Sequence, residues 1–299
     1  MEDLLTILVR GVAQGSVYAL LAAGFVVIYR ATDVVNFAQP ALMVLGAYFT
    51  ALFVRTYEIP FPLAILGSIL VVGMIGAACE RIALRPMVGE PPFSAAMVTV
   101  GVFLVLTIVA NRLIGSNVLT VGDPWGLDTA VLAGGVRMRV ADGWRIALTA
   151  GAFAGVGLFL ARSRVGLAMR ATSLDQEVAL AQGVNVGRMF GLSWAMAGGL
   201  AGLAGMMVGS GGQGVDNTTA FVALKALPVI ILGGLDSLKG AYIGGLVIGV
   251  AEAFTRANSA ALTGYVGANV DVVVPYVIMI LVLMVRPYGL FGTPEVQRV

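Results

Sequence analysis

The chain has 299 residues, of which 59% are apolar and 11% charged, and its formal net charge is +2. Soluble globular domains contain about 45–50% apolar and about 25% charged residues, so this composition excludes a soluble fold and predicts a protein embedded in a lipid bilayer. The small net charge does not indicate a nucleic-acid partner. With no His and a single Cys79, an internal disulfide and a Cys/His metal site are excluded.

Apolar stretches with about the length of a membrane span recur along the whole chain. They cover residues 4–29, 35–54, 61–79, 94–114, 144–161, 187–209, 222–254 and 270–286. We therefore predict an all-α membrane protein, a polytopic helical bundle of about eight transmembrane segments in a single domain over residues 1–299. Because the first stretch follows Glu2 and Asp3 and is long, we expect a retained membrane helix rather than a cleavable signal peptide.

Two stretches carry signals of a broken or re-entrant helix. The stretch 222–254 is too long for one span and contains Gly233 and Gly234. We expect a half-helix, a turn and a second helix there: Phe221–Leu232, Gly233–Lys239 and Gly240–Phe254. Around Asn36–Pro40, the proline lacks a backbone donor. Such breaks are tolerated only where they face protein or a water-filled cavity, and the pattern leaves open whether 222–254 crosses twice or re-enters.

Arginine clusters predict the orientation, because positive charges favour cytoplasmic loops. The clusters assigned to the cytoplasm are Arg81 with Arg85, then Arg162, Arg164 and Arg170, and finally Arg286 with Arg298. The segment Gly115–Gly143 and the N-terminus then lie outside. Three arginines within or beside that segment oppose this assignment: Arg137, Arg139 and Arg145. The three cytoplasmic clusters together contain more arginines and decide the orientation.

The cytoplasmic loop at about 162–186 carries an amphipathic helical pattern. Its apolar residues recur at spacings of three and four, on one helical face: Leu167, Ala171, Leu174, Val178 and Ala181. We expect one short helix with a capping box of Thr172 and Asp175 and a stop at Gly183. Helices that lie on lipid usually carry basic polar faces. Arg170 here stands against Asp175 and Glu177, which favours docking into a protein groove.

Five motifs follow one another in an order that resembles a known family. Gly166-x-x-x-Arg170-Ala171-x-x-x-Asp175-x-x-x-Ala179-x-x-x-Gly183 resembles the coupling loop of branched-chain amino-acid ABC permeases, the LivH/LivM family. The other motifs are VNFA at 35–38, ER with RP at 80–86, LGGLDSLKGA at 232–241 and RPYGLFG at 286–292. The resemblance spans roughly residues 8–292, and the LivH-type member fits better because the chain has no long N-terminal extension.

The resemblance implies a transport subunit of the bacterial inner membrane, with no enzyme activity and no cofactor of its own. It implies a LivM-like second permease, two cytoplasmic ATP-binding subunits that hold ATP and Mg²⁺, and an external solute-binding protein. The residues it assigns to coupling with the ATPases are Gly166, Arg170, Ala171, Asp175, Ala179 and Gly183. The sequence lacks GxxxxGK[ST], in agreement with ATP hydrolysis on separate subunits.

The resemblance implies transport of branched-chain amino acids or similar small solutes. Gln39-Pro40 stands where the family has His-Gly, and Lys239 stands where the family commonly has Pro. Urea, short amides or another carboxylate therefore stay open as substrates. Polar residues inside a membrane are candidates for the substrate path: Asn36, Phe37, Gln39, Thr99, Asp236 and Glu252. Four of them also have a structural interpretation: backbone satisfaction near Pro40 for Asn36 and Gln39, a helix cap for Asp236, and pairing with a cation for Glu252.

Two further interpretations come from outside this family. A self-sufficient ion-coupled transporter or channel would use Glu252 and Asp236, but it has no need of a docking helix. A membrane-embedded enzyme lacks support, because the sequence has no metal-ligand cluster or nucleophile motif. Small residues such as Gly11, Gly15 and Ser16, beside Gln14, instead predict close helix packing. Glycines of the stretch 187–209 predict the same: Gly198, Gly199, Gly202 and Gly205.

Overall fold

The computed structural model describes residues 4–115, 118–131, 137–216, 218–261 and 269–293, so the predicted cytoplasmic Arg298 lies outside the described residues. Within these ranges, six helices are long and apolar enough to cross a membrane, and three shorter apolar helices accompany them. The predicted all-α membrane bundle is confirmed. The outer loop adds a two-stranded antiparallel ribbon that the sequence did not predict, β1 (Thr129–Val131) and β2 (Arg137–Arg139).

The helices follow the predicted apolar stretches. In chain order they are α1 (Leu4–Thr32), α2 (Gln39–Arg55), α3 (Phe61–Cys79), α4 (Pro92–Ile114), α5 (Val140–Arg162), α6 (Arg164–Leu174), α7 (Gln176–Ala181), α8 (Val186–Val208), α9 (Thr219–Val222), α10 (Ala226–Gly233), α11 (Leu238–Ala257) and α12 (Val270–Val285). Helix α3 continues through a π-helical turn (Glu80–Leu84) and a 3₁₀ turn (Arg85–Met87). A second 3₁₀ turn (Ala223–Lys225) joins α9 to α10.

The stretch 222–254 is broken between α10 and α11, close to the predicted position. The chain from residue 219 to 233 is about 22 Å long at the rise of a helix, and it turns at Gly234, whose φ of +104° favours glycine. Ser237 then caps α11, because its hydroxyl accepts from the Gly240 amide at 3.0 Å. The prediction that Asp236 caps this helix is therefore wrong.

The predicted single helix in the loop 162–186 is also wrong, because the chain forms two helices there. Asp175 is extended, with φ −163° and ψ 112°, and separates α6 from α7. Its carboxylate accepts from the amides of Glu177 at 2.9 Å and Val178 at 3.0 Å, and so caps α7. Thr172 donates to its own helix, so the predicted capping box does not form. Gly183, with φ +81°, follows the end of α7 as predicted.

Helix α1 is the centre of the bundle. It packs against α11, α8, α5 and α10, and its buried residues lie all around it, as expected of a helix enclosed by protein. Helices α3, α4 and α12 lie towards the outside and expose large apolar side chains, among them Leu70, Ile108 and Met284. In a bilayer these side chains meet lipid.

Glycines let the central helices approach each other closely. A Cβ added at Gly249 of α11 would lie 2.5 Å from the carbonyl oxygen of Gly11 in α1. Helix α8 meets α3 in the same way, since a Cβ at Gly198 would lie 2.5 Å from the carbonyl oxygen of Val72. At Gly205, a Cβ would lie 2.6 Å from an amide nitrogen of α2. The predicted small-residue packing is confirmed.

The α1–α11 crossing should not tolerate a single added methyl group. We expect Gly249→Ala to destabilise the chain by about 1–3 kcal/mol, because it overpacks a backbone contact. Its control is Gly151→Ala in the middle of α5, where no atom lies within 4 Å of the added Cβ. The measurement is the midpoint temperature of thermal unfolding of the purified chain in detergent. This temperature should fall for Gly249→Ala and should be unchanged or higher for Gly151→Ala. Equal midpoints would contradict the crossing.

Candidate functional site

Helices α6 and α7 form an exposed surface at one end of the bundle, which we call the coupling end. Its apolar members are Leu167, Leu174, Val178 and Leu180, and its acidic members are Asp175 and Glu177. Leu174 is 87% exposed. We call these six residues the coupling surface. Of the predicted coupling residues, Asp175 and Gly183 are exposed here.

The other predicted coupling residues face the chain itself. Gly166 and Ala179 are buried. A Cβ at Gly166 would lie 2.6 Å from the α-carbon of Leu160, and Ala179 packs against α1 and α8. Arg170 is half-buried and donates to the carbonyl oxygen of Leu160, while Ala171 is half-buried beside it. Gly166, Arg170 and Ala179 thus hold α6 and α7 against the bundle.

An ion pair fixes the first predicted cytoplasmic loop. Glu80 is 1% exposed and pairs with Arg85 at 3.2 Å. Arg85 also donates to the carbonyl oxygen of Gly187 at 2.7 Å, at the start of α8. The ER and RP residues of this loop thus join the end of α3 to the helix that follows the coupling surface.

The corner between α1 and α2 is held by Asn36, Gln39 and Thr99, each of which is 0% exposed. Asn36 accepts from a backbone amide within the corner at 3.0 Å. Gln39 donates its side-chain amide to the carbonyl oxygen of Ala197 in α8 at 3.0 Å. The Thr99 hydroxyl of α4 accepts from the Phe37 amide at 3.0 Å. Asn36 and Thr99 thus bond backbone amides freed at the break, and Gln39 ties the corner to α8.

The C-terminal segment 286–293 completes the second break, and we call it the C-terminal clamp. Its Leu290 amide donates to the carbonyl oxygen of Leu232 at 2.8 Å. Its Phe291 amide donates to the carbonyl oxygen of Gly233 at 3.0 Å. These are the last carbonyl groups of α10, which have no partner within their own helix. The LGG and RPYGLFG motifs therefore form one structural unit.

Asp236 lies at the coupling end, in the turn that the C-terminal clamp holds. Its carboxylate accepts from the amide of Thr293 at 3.4 Å and from the hydroxyl of the same residue. A cavity of about 490 Å³ opens beside it, and Arg30 and Arg170 line this cavity too. Lys239 is exposed in the first turn of α11, where the family's proline would also be compatible with a helix.

Glu252 lies near the opposite end of α11, which we call the outer end, and is 1% exposed. Its carboxylate accepts from the Lys225 ammonium at 2.9 Å, the Arg256 guanidinium at 2.8 Å and the Tyr18 hydroxyl at 2.7 Å. The structural interpretation of Glu252 as the partner of a cation is confirmed. Arg256 also pairs with Asp271 at 3.1 Å.

A second buried ion cluster at the outer end was missed by the sequence analysis. Asp142 is 1% exposed and pairs with Arg145 at 2.9 Å and Arg139 at 3.1 Å. Arg145 also donates to the carbonyl oxygens of Met207 at 2.9 Å and Ser210 at 3.0 Å, at the end of α8, where a cation is favourable. The spacing of three residues between each arginine and Asp142 was the signal for this cluster.

Two cavities lie between these ion clusters. The outer cavity, of about 530 Å³, is lined by Arg10, Arg139 and Asp142 among others. The inner cavity, of about 250 Å³, adds Tyr18, Lys225 and Thr219 to its walls. They share five lining residues: Gln14, Arg145, Gln213, Glu252 and Arg256.

Asp216 opens the segment that leads to Lys225 and lies outside the membrane spans. Its carboxylate accepts from the hydroxyls of Thr218 at 2.8 Å and Thr219 at 2.9 Å. These hydrogen bonds, that of Thr218 first, lower the pKa of the Asp216 carboxyl. The bonds therefore stabilise the start of α9 above the ordinary pKa of an aspartate, and this contribution is lost as the pH falls through the lowered pKa.

Comparison with known proteins identifies the family to which the chain belongs. The family model described as "Branched-chain amino acid transport system / permease component" matches residues 7–283. The chain belongs to this family. Its members are transport components, so the predictions of a permease subunit rather than an enzyme and of the LivH-type resemblance are confirmed. Together with the apolar helices, the family places the chain in the cell (inner) membrane.

Individual relatives match over nearly their full length. The chain is 28% identical to the high-affinity branched-chain amino acid transport system permease protein LivH of Salmonella typhimurium, over 97% of this chain and 96% of that protein. It is 29% identical to BraD of Pseudomonas aeruginosa, over 98% and 97%. A solved chain of PsaBC from Streptococcus pneumoniae in complex with Fab has the same fold, with a TM-score of 0.50, 15% identity and coverage of 93% and 91%.

The α1–α2 corner yields a test of Gln39. Gln39→Ala removes the side-chain hydrogen bond that joins α2 to the Ala197 carbonyl oxygen of α8, and a hydrogen bond of this kind contributes about 0.5–1.5 kcal/mol. We expect the amount of folded protein and the transport rate to fall in proportion, as measured by size-exclusion chromatography and vesicle uptake. Gln182→Ala, at an exposed glutamine after α7, is the control and should change neither. Normal folding with altered substrate preference would instead place Gln39 in the substrate path.

Proposed function

We propose that the chain is the LivH-type permease subunit of an ATP-driven ABC importer for branched-chain amino acids or similar small solutes. The observation that carries this proposal is the family match over residues 7–283. The exposed coupling surface supports it, because a permease without an ATP-binding motif has to receive its energy through contact with another subunit. The named activity of LivH and BraD supports the substrate class.

The proposed assembly contains four kinds of subunit. A second, LivM-like permease pairs with this chain in the membrane, and two cytoplasmic subunits bind ATP and Mg²⁺. An external solute-binding protein delivers the substrate to the outer end. This chain supplies a path and performs no chemistry, so the free energy of uptake comes from ATP hydrolysis in the partners.

The coupling surface is suited to receive the ATPase subunits. Leu174, Val178 and Leu180 are each more than half exposed, and at this end of the bundle such side chains bury apolar area only when another protein covers them. Asp175 and Glu177 add negative charges that select a basic groove. Behind the surface, Gly166 and Ala179 pack tightly against the bundle, so a push on α6 or α7 is transmitted to α1, α5 and α8.

The six predicted path residues take three positions in this proposal. Glu252 lies at the outer entrance and Asp236 at the coupling end. Asn36, Phe37, Gln39 and Thr99 support the path by fixing the corner between α1 and α2. An ion-coupled transporter would need Glu252 and Asp236 to act as one site. They are sixteen residues apart and lie towards opposite ends of α11, which is about 24 Å at the rise of a helix. Each already accepts hydrogen bonds within the chain.

Uptake by the complete importer tests the proposal. Vesicles that contain both permeases and the ATPase subunits, with the solute-binding protein on the delivery side, should accumulate labelled leucine, isoleucine or valine when ATP is supplied to the ATPases. Vesicles that lack the ATPases are the control and should accumulate none. Accumulation of urea or a short amide in place of these amino acids would overturn the substrate assignment, and uptake without ATPases would overturn the class.

Docking of the ATPases tests the coupling surface. Leu174→Glu places a charge at the centre of the apolar part of the surface without touching the bundle core, so the chain should insert normally. We expect at least a tenfold fall in the amount of ATP-binding subunit that copurifies with the permeases. The matched control is Leu127→Glu, at an exposed leucine of the outer loop. Normal copurification with Leu174→Glu would move the docking site elsewhere.

A further inference from the structure

The inner cavity continues from the outer cavity towards the middle of α1. Gln14 is ten residues from the start of α1, about 15 Å along the helix, and Tyr18 is one turn deeper. Glu252 is five residues from the end of α11, about 8 Å along that helix. The cavity walls thus join the middle of the central helix to the outer entrance.

The charge of the two cavities is positive. Their walls contain five cationic side chains: Arg10, Arg139, Arg145, Lys225 and Arg256. Two carboxylates, Asp142 and Glu252, line the same walls, and Asp271 reaches Arg256 from α12. Among the described residues, the cations therefore exceed the carboxylates. Such a potential attracts the carboxylate end of a solute into the cavity.

The Lys225–Glu252 pair brings opposite charges to the wall of the inner cavity. Lys225 and Glu252 are 7% and 1% exposed. An ammonium group has three N–H donors, and within the part of the chain that the structure describes, Lys225 donates to Glu252 alone. Two of its donors are therefore available to a ligand. Glu252 keeps Arg256 and Tyr18 as partners, so it stays paired if Lys225 turns to another carboxylate.

The deeper wall of the same cavity is apolar. Val17 and Leu21 of α1 face Met43 of α2 and Val208 of α8, with Ala223 beside Lys225. The volume of about 250 Å³ is smaller than the about 300–1,000 Å³ of pockets for drug-sized ligands. The cavity therefore suits a small solute with a charged head and an aliphatic side chain.

We propose that the inner cavity of this chain binds a zwitterionic aliphatic α-amino acid, with the substrate carboxylate on Lys225 and the substrate ammonium on Glu252. When the ligand binds, the Lys225–Glu252 ion pair is exchanged for two ion pairs with the ligand. No buried charge is therefore left unpaired before or after binding. This site rests on the proposed import function and specifies it. Urea and amides carry no such pair of charges and gain nothing from separating Lys225 from Glu252.

Ligand analogues that each lack one charge test the two contacts separately. The importer complex, in nanodiscs without the solute-binding protein, is equilibrated with labelled L-leucine and competed with L-leucinamide, which lacks the carboxylate, or 4-methylpentanoate, which lacks the ammonium. The wild type should prefer leucine to either analogue by tenfold or more. Lys225→Gln should lose the preference for leucine over leucinamide but keep the preference for leucine over 4-methylpentanoate. Glu252→Gln should lose the preference over 4-methylpentanoate but keep the preference over leucinamide.

Control variants separate a ligand contact from a structural defect. Gly151→Ala, in the middle of α5 and away from both cavities, adds a methyl group that meets no atom within 4 Å and should keep both preferences. Ala223→Leu fills the cavity without altering a charge, and should weaken leucine binding at least tenfold while glycine binding is unchanged. If the charge variants do not assemble, the binding of leucine and glycine to Ala223→Leu tests the proposed site.

The site and the import function fail in different ways. Wild-type preferences retained in both charge variants, or leucine binding unaffected by Ala223→Leu, would overturn the site. Failure of the wild-type importer to accumulate leucine would overturn the proposed function itself.

Discussion

Inside a bilayer, every backbone N–H and C=O group has to find its hydrogen-bond partner within the protein. This chain breaks its helices twice and meets that constraint by two different means. At the α1–α2 corner, the side chains of Asn36 and Thr99 accept from freed backbone amides, and Gln39 bonds the corner to α8. After α10, the backbone of the C-terminal clamp does so. Both breaks are thereby compatible with a membrane.

Charge is distributed unequally between the two ends. At the outer end, arginines that would oppose the orientation are paired with Asp142, and Arg145 adds a cation at the end of α8. At the coupling end, the exposed surface is apolar and acidic. The cations of the outer cavity and the acidic residues of the coupling surface thus lie at opposite ends of α1, and the latter stand among exposed arginines: Arg162, Arg164 and Arg188.

The sequence predicted the bundle, the broken stretch and the family, because apolar length and ordered motifs are local signals. It did not predict that Asp175 divides the coupling loop, since the competing helical pattern continues through that residue. Gln39 fills the space beside Gly24, where a Cβ would lie 2.7 Å from the side-chain carbon Cδ of Gln39. That contact, like the meeting of Lys225 with Glu252, joins segments distant in sequence, and no spacing within one helix reveals it.

The C-terminal clamp has a consequence for how the protein is made. Asp236 and Thr293 are separated by 57 residues, which a ribosome adds in roughly 3–11 s at ordinary rates of synthesis. The carbonyl groups of Leu232 and Gly233 are likewise synthesised 58 residues before the Leu290 and Phe291 amides that bond them. The break after α10 therefore stays incomplete until residues 290–293 have been added.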